Sequence, residues 1–145
     1  MLTNPLLGTW RLVSFEIENP EGEVSRPFGE NAAGYLMYSA DGYMAVSIMP
    51  LDRPNFLSST LDAGKPEEKI AAFDTYTSYC GTYEIRGDTV VHHIELCLFP
   101  NWSGADQHRQ FELSGDRLTL RARLKMAEGE SVGVAIWNRI SPRRK

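Results

Sequence analysis

The hydrophobic pattern of this chain repeats every two residues over most of its length, the period of a β-strand with one face buried. Residues 8–17 (GTWRLVSFEI) carry the β-branched and aromatic content of a strand, and the NPEGE that follows turns the chain. Residues 34–48 (GYLMYSADGYMAVSI) place Asp41-Gly42 between two apolar runs, a strong hairpin signal. Residues 80–85 and 89–99 flank Gly87-Asp88 in the same way, residues 107–114 and 117–126 flank Gly115-Asp116, and residues 131–140 form a last strand. The alternation stops only between residues 49 and 79. There a Pro-punctuated loop precedes KPEEKIAAFDTYTSY, which predicts a helix with Pro66 at its start and Glu67 and Glu68 in its first turn, where the helix dipole favours them. Eight antiparallel strands in hairpin order, with one helix inserted between strands three and four, predict an all-β fold: an up-and-down β-barrel, with a sandwich as the second architecture. Closure of the barrel removes the exposed edges that a sandwich must protect.

Register divides the faces. With Gly87-Asp88 as a two-residue loop, Tyr83 pairs with His92, so Val90, His92, Ile94, Leu96 and Leu98 face inward while Val91, His93, Glu95 and Cys97 face outward. With Gly115-Asp116 as the next loop, Phe111 pairs with Leu120 and Arg109 with Ala122, and Arg109 and Phe111 also face inward. An imidazole and a guanidinium inside a small barrel require partners. They predict either an internal polar network with Tyr83, Tyr38 and Tyr43, or a cavity that holds the polar end of a small apolar ligand, with Phe111 and Trp102 as apolar contacts. Catalysis by His92 as acid or base, with Arg109 and Tyr83 assisting, uses the same inventory.

The whole chain of 145 residues is of single-domain size, and its net charge of −4 with a pI near 5.4 argues against nucleic-acid binding. No apolar run is long enough to span a membrane. MLTNPLLGTW lacks the features of a secretory signal, which predicts a cytoplasmic protein. Cys80 and Cys97 match no metal or redox spacing and are expected as free thiols. His93 and Glu95 lie together on the outer face and His108 is outward by parity, with no third ligand at a helpful spacing to the pair, so neither metal nor cofactor is expected. Arg86-Gly87-Asp88 reads as turn chemistry and not as an adhesion motif.

LLGTWRLVSFE at 6–16 resembles the opening strand of lipocalins, and WNR at 137–139 supplies the arginine that accompanies it. Together with GYLMYSADGYM, RPNF, YCGTYEI, VVHHIE, FPNWSG and QHRQFEL, these segments resemble the lipocalin-like domain proteins found as small single domains in bacteria and fungi. The resemblance covers nearly the whole chain. It implies a structural closure at one end of the barrel by Gly8, Trp10 and Arg139. The loop and helix of residues 49–79, which depart from the pattern of secreted lipocalins, are placed to cover the open mouth as a lid. The functional expectation is binding of a small, mostly hydrophobic molecule with a polar or anionic head. The alternatives are a cofactor-independent isomerase or cyclase acting in the same cavity, and a filled barrel serving as a protein-interaction module. A homodimer is left open.

Overall fold

The turn chemistry dictates the observed path. In a computed structural model that describes residues 4–141, the strands are β1 (Gly8–Glu18), β2 (Val24–Ser25), β3 (Ala32–Tyr38), β4 (Tyr43–Pro50), β5 (Thr77–Arg86), β6 (Thr89–Cys97), β7 (Asp106–Ser114), β8 (Arg117–Met126) and β9 (Gly129–Arg139). Consecutive strands pair antiparallel from β3 to β9. One edge of β1 bonds β3 through Gly8–Arg11 and β2 through Ile17–Glu18, and the other bonds β9 from Trp10 to Glu18. Eight long strands thus close a barrel. The two-residue β2 was not expected, and counting it puts the helix α1 (Pro66–Asp74) after the fourth strand instead of the third.

Apolar side chains fill one end. Trp10, Leu36, Tyr38, Leu118 and Trp137 are almost fully buried, and Leu6 closes beneath them. The Arg139 guanidinium lies 4.2 Å from the Trp10 ring centroid, a favourable cation–π distance. It also donates to the Leu7 and Pro5 carbonyls, and Trp10 Nε1 donates to the Leu6 carbonyl at 2.9 Å. Gly8, at φ 118°, occupies a conformation that other residues rarely adopt, with the Arg139 guanidinium beside it.

Two registers depart from expectation. A bulge between Cys80 and Gly81 makes Gly81 oppose Ile94 and Cys80 oppose Leu96. The extra residue, Glu95, reverses the faces beyond it: Leu96 is 69% exposed, whereas Cys97 packs against the core. Val91, on the outward register, is buried as well, between Glu84 and His108 on its neighbouring strands. The β7–β8 ladder runs from Ser114↔Arg117 to Gln110↔Arg121 and stops, so the expected Arg109–Ala122 pair does not form.

Helix α1 follows the predicted start, with Glu68 accepting from the Lys65 and Leu57 backbone N–H groups at 2.9 Å. It ends at Asp74, five residues before the predicted limit, and Thr77–Tyr79 begin β5 instead. None of its residues is buried. Arg53 ties it to the preceding loop by donating to the Ala72 carbonyl at 3.0 Å and to Thr75 Oγ1 at 3.1 Å.

Candidate functional site

The tight Gly87-Asp88 turn pairs Tyr83 with His92 and aims the His92 ring into the barrel, where it is 1% exposed. Both ring nitrogens are occupied. Tyr38 Oη lies 2.6 Å from Nε2 and Tyr79 Oη 2.6 Å from Nδ1. Burial first, and then the positive charge of Arg109, push the imidazole down to about 3, so it is neutral at physiological pH. Burial raises the phenols of Tyr38 and Tyr79, which therefore keep their protons; for Tyr79 the nearby Arg109 works in the opposite direction.

These protonation states make the network countable. Two phenols and one neutral imidazole carry three donor protons, and the two contacts between them use two. One phenolic proton is therefore left over, on Tyr38 or on Tyr79 according to the tautomer of His92. A separate unpartnered donor lies in the apolar core. Trp137 Nε1 is buried without a hydrogen-bond partner among the described residues. Arg109 donates from Nη1 to Gln107 Oε1 at 3.0 Å and to the His108 carbonyl at 3.3 Å, both neutral acceptors, and forms no ion pair among the described residues. The interior is rich in donors and poor in acceptors.

Aromatic rings adjoin this cluster. Phe99 meets Trp102 edge-on at 5.4 Å, Trp102 meets Tyr79 edge-on at 5.9 Å, and Tyr79 and Tyr38 flank His92 at 5.6 Å each. Trp102 and Phe111 are partly buried against the core.

The structure thus buries His92 and Tyr38 inside the barrel, sets the half-buried Arg109 near enough for its charge to act on both, and packs Trp102 and Phe111, partly buried, against the core. It places two other candidates differently. The Tyr83 ring packs against Tyr38 at 4.7 Å, tilted by 59°, but its hydroxyl donates to the Ser39 carbonyl at 2.8 Å and accepts from Asn4 Nδ2 at 2.6 Å, away from His92. Tyr43 is 56% exposed. Ser39 bonds Tyr43 through the backbone at 2.8 Å, and Gly42 takes φ 93°, so the loop spans three residues and Tyr43 turns outward. Tyr79 is the participant that sequence reasoning missed. It shares the face of Tyr83, four residues earlier on β5, and lies one residue before the expected start of that strand.

On the outer face, His93 is held between Asp106 Oδ1 at 2.7 Å and Glu84 Oε1 at 3.0 Å, and Arg86 pairs with the same Glu84 oxygen at 2.5 Å. Bonding to Asp106, and then to Glu84, raises the His93 pKa; His93 in turn lowers that of Asp106. No group of three His, Cys, Asp or Glu side chains that could hold a metal ion occurs among the described residues, and Cys80 and Cys97 are free thiols. No helix among them is long and apolar enough to cross a membrane.

The lipocalin-like domain family matches residues 7–140. The chain is 28% identical over 85 residues to the 4'-hydroxy-3'-methoxypropiophenone carrier protein ppsC of Aspergillus oryzae, an alignment covering 53% of this chain and 77% of that protein. Among solved structures, a REP1-NXSQ fatty acid transporter is similar at 15% identity with a TM-score of 0.44, covering 95% of this chain and 98% of that one. A zebrafish ileal bile acid-binding protein complexed with cholic acid is similar at 15% identity with a TM-score of 0.42, covering 92% and 98%.

Proposed function

The chain belongs to the lipocalin-like domain family, and from that premise we propose that it binds a small, mostly apolar molecule whose head accepts hydrogen bonds, seated inside the barrel against Tyr38, Tyr79, His92 and Arg109. The observation that carries this reading is the proton count. A buried network with three donor protons for two contacts, beside a guanidinium that meets no carboxylate among the described residues, is completed by an acceptor such as a carboxylate, carbonyl or phenolate oxygen. The aromatic run from Phe99 through Trp102 to Tyr79 suits an apolar or aromatic body. The Aspergillus oryzae relative is named as a carrier of an aryl ketone, a molecule of that chemistry.

Binding is favoured over isomerisation or cyclisation by the same contacts. Both nitrogens of His92 are held by phenols, so a proton could pass between His92 and a substrate only through Tyr38 or Tyr79. The loop and helix over residues 49–79 serve in this reading as a lid on the open end.

Native mass spectrometry of the protein purified from its own host, or incubated with host metabolite extract, tests the proposal. A stoichiometric molecule bearing an acceptor head, released on denaturation and lost in Arg109→Ala, is the expected result. An adduct that Arg109→Ala retains unchanged, or no adduct at all, would overturn it.

A further inference from the structure

Strands β7 and β8 run side by side beyond the end of their ladder. Past Gln110↔Arg121, Asp106–Arg109 of β7 and Ala122–Met126 of β8 have no pairing with each other, although β7 remains bonded to β6 through His93↔Asp106 and β8 to β9 through Met126↔Gly129. Ladder pairing is therefore missing along this stretch of the β7–β8 seam, while the seams on either side of it stay paired. A recess of about 600 Å³ lies there, lined by Thr89, Gln107 and Arg109 on one side and Arg121, Ala122 and Arg123 on the other. That volume falls in the range of small-molecule sites.

Arg109 connects the seam to the interior. It lines the recess and also stands close enough to Tyr38, Tyr79 and His92 for its charge to act on all three. The other guanidiniums of the recess are already paired, Arg121 with Glu112 at 2.9 Å and Arg123 with Glu130 at 3.7 Å. Positive charge not held by a carboxylate is thus concentrated at Arg109, which has only neutral acceptors among the described residues. At the open end of the barrel, by contrast, Phe28 and Trp102 from the loops pack against the core.

We infer that the ligand passes through the side of the barrel, between β7 and β8, and that this seam admits apolar molecules with an anionic head, which Arg109 draws inward. A strand gap suits this use because its backbone groups are unpaired and can part without breaking a ladder. The passage requires no movement of α1. The inference rests on the binding reading above, and the experiment separates the two.

The probe is 8-anilinonaphthalene-1-sulfonate, an apolar anion whose fluorescence rises on burial, followed at equilibrium and by stopped flow. Extending the register places His108 opposite Arg123, so a bismaleimide bridge between cysteines installed by His108→Cys and Arg123→Cys, in a Cys80→Ala, Cys97→Ala background, staples the seam. Ala122→Trp fills it without any cross-link. Association and dissociation rates should both fall about tenfold or more in each, with the bridged dissociation constant within about threefold of the unbridged protein, since closing a route changes rates and not the bound state. Parent-like rates in both proteins would overturn the side passage while leaving the internal site standing. A parent protein whose probe signal is absent, or is unchanged in Arg109→Ala, would overturn the binding reading and the passage with it.

Discussion

Lowering the pH from 7 to 4.5 protonates His92 in the unfolded chain, whose histidines titrate near about 6.5, while the folded ring, pushed down to about 3 by burial and by Arg109, stays neutral. Because the folded value is depressed, the stabilisation is complete above the unfolded value and is lost as the pH falls toward the folded one. The slope is about 1.4 kcal/mol per pH unit, so roughly 2.5 kcal/mol disappears between pH 7 and 4.5. Carboxylates titrate over the same interval, and they cancel when the parent is compared with a variant that lacks the ring. Urea unfolding of the parent, His92→Phe and His92→Gln at both pH values is the assay. His92→Phe strands two phenols and should be less stable at every pH, whereas His92→Gln offers both a donor and an acceptor; the change with pH, not the baseline, carries the result. The parent should lose about 2–3 kcal/mol more than either variant on acidification. Equal losses in all three would mean that the imidazole is not held neutral by its surroundings, and the proton count would fail with it.

Three further outcomes follow from the packing. Arg139→Ala removes the cation over Trp10 and the donors to the Pro5 and Leu7 carbonyls, and should cost about 2–3 kcal/mol in urea unfolding while leaving probe affinity near that of the parent. Gly81→Ala sets a Cβ into the His93 carbonyl oxygen across the bulge and should cost about 3 kcal/mol or more, whereas Gly42→Ala meets no atom within 4 Å and should cost only the left-handed backbone penalty, about 1–2 kcal/mol. His93 has a raised pKa, so its stabilisation is complete below about 6.5 and lost as the pH rises through the folded value. Asp106 and Glu84 have lowered values, so theirs is complete above about 4.3 and lost as the pH falls. The stability difference between the parent and His93→Gln, measured by urea unfolding from pH 3 to 8, should therefore be largest between about pH 4.5 and 6.5.

Local signals carried the architecture a long way. The Gly-Asp dipeptides at 87–88 and 115–116 set registers that the structure reproduces at Tyr83↔His92 and Phe111↔Leu120, because a two-residue loop leaves the flanking strands no other pairing. Parity counting failed where one strand gained a residue. The bulge beside Gly81 reversed Leu96 and Cys97, and a glycine inside a strand was the available warning. Parity was also silent on Tyr79, since Tyr76–Tyr79 sit where helical and strand patterns merge and only the tertiary pairing Tyr79↔Cys97 decides between them. The unpaired stretch of β7 and β8 had no local signature. Both segments read as ordinary strands, and where their ladder stops is decided by pairing across the barrel, not by either segment alone.

The closing seam between β1 and β9 has a consequence for synthesis. Trp10 pairs with Arg139 and Glu18 with Val132, so the first long strand acquires one of its two neighbours only from the last. On a ribosome, the free edge of β1 waits while the seven long strands after it emerge, and the ring that buries Trp10 cannot shut until β9 has cleared the exit tunnel. Such late, long-range pairing is slow and leaves a strand edge open to other chains in the meantime. A polypeptide of this design therefore needs its hairpins to hold their shape as they emerge, and the tight Gly-Asp turns, each complete within a few residues, supply that early local order.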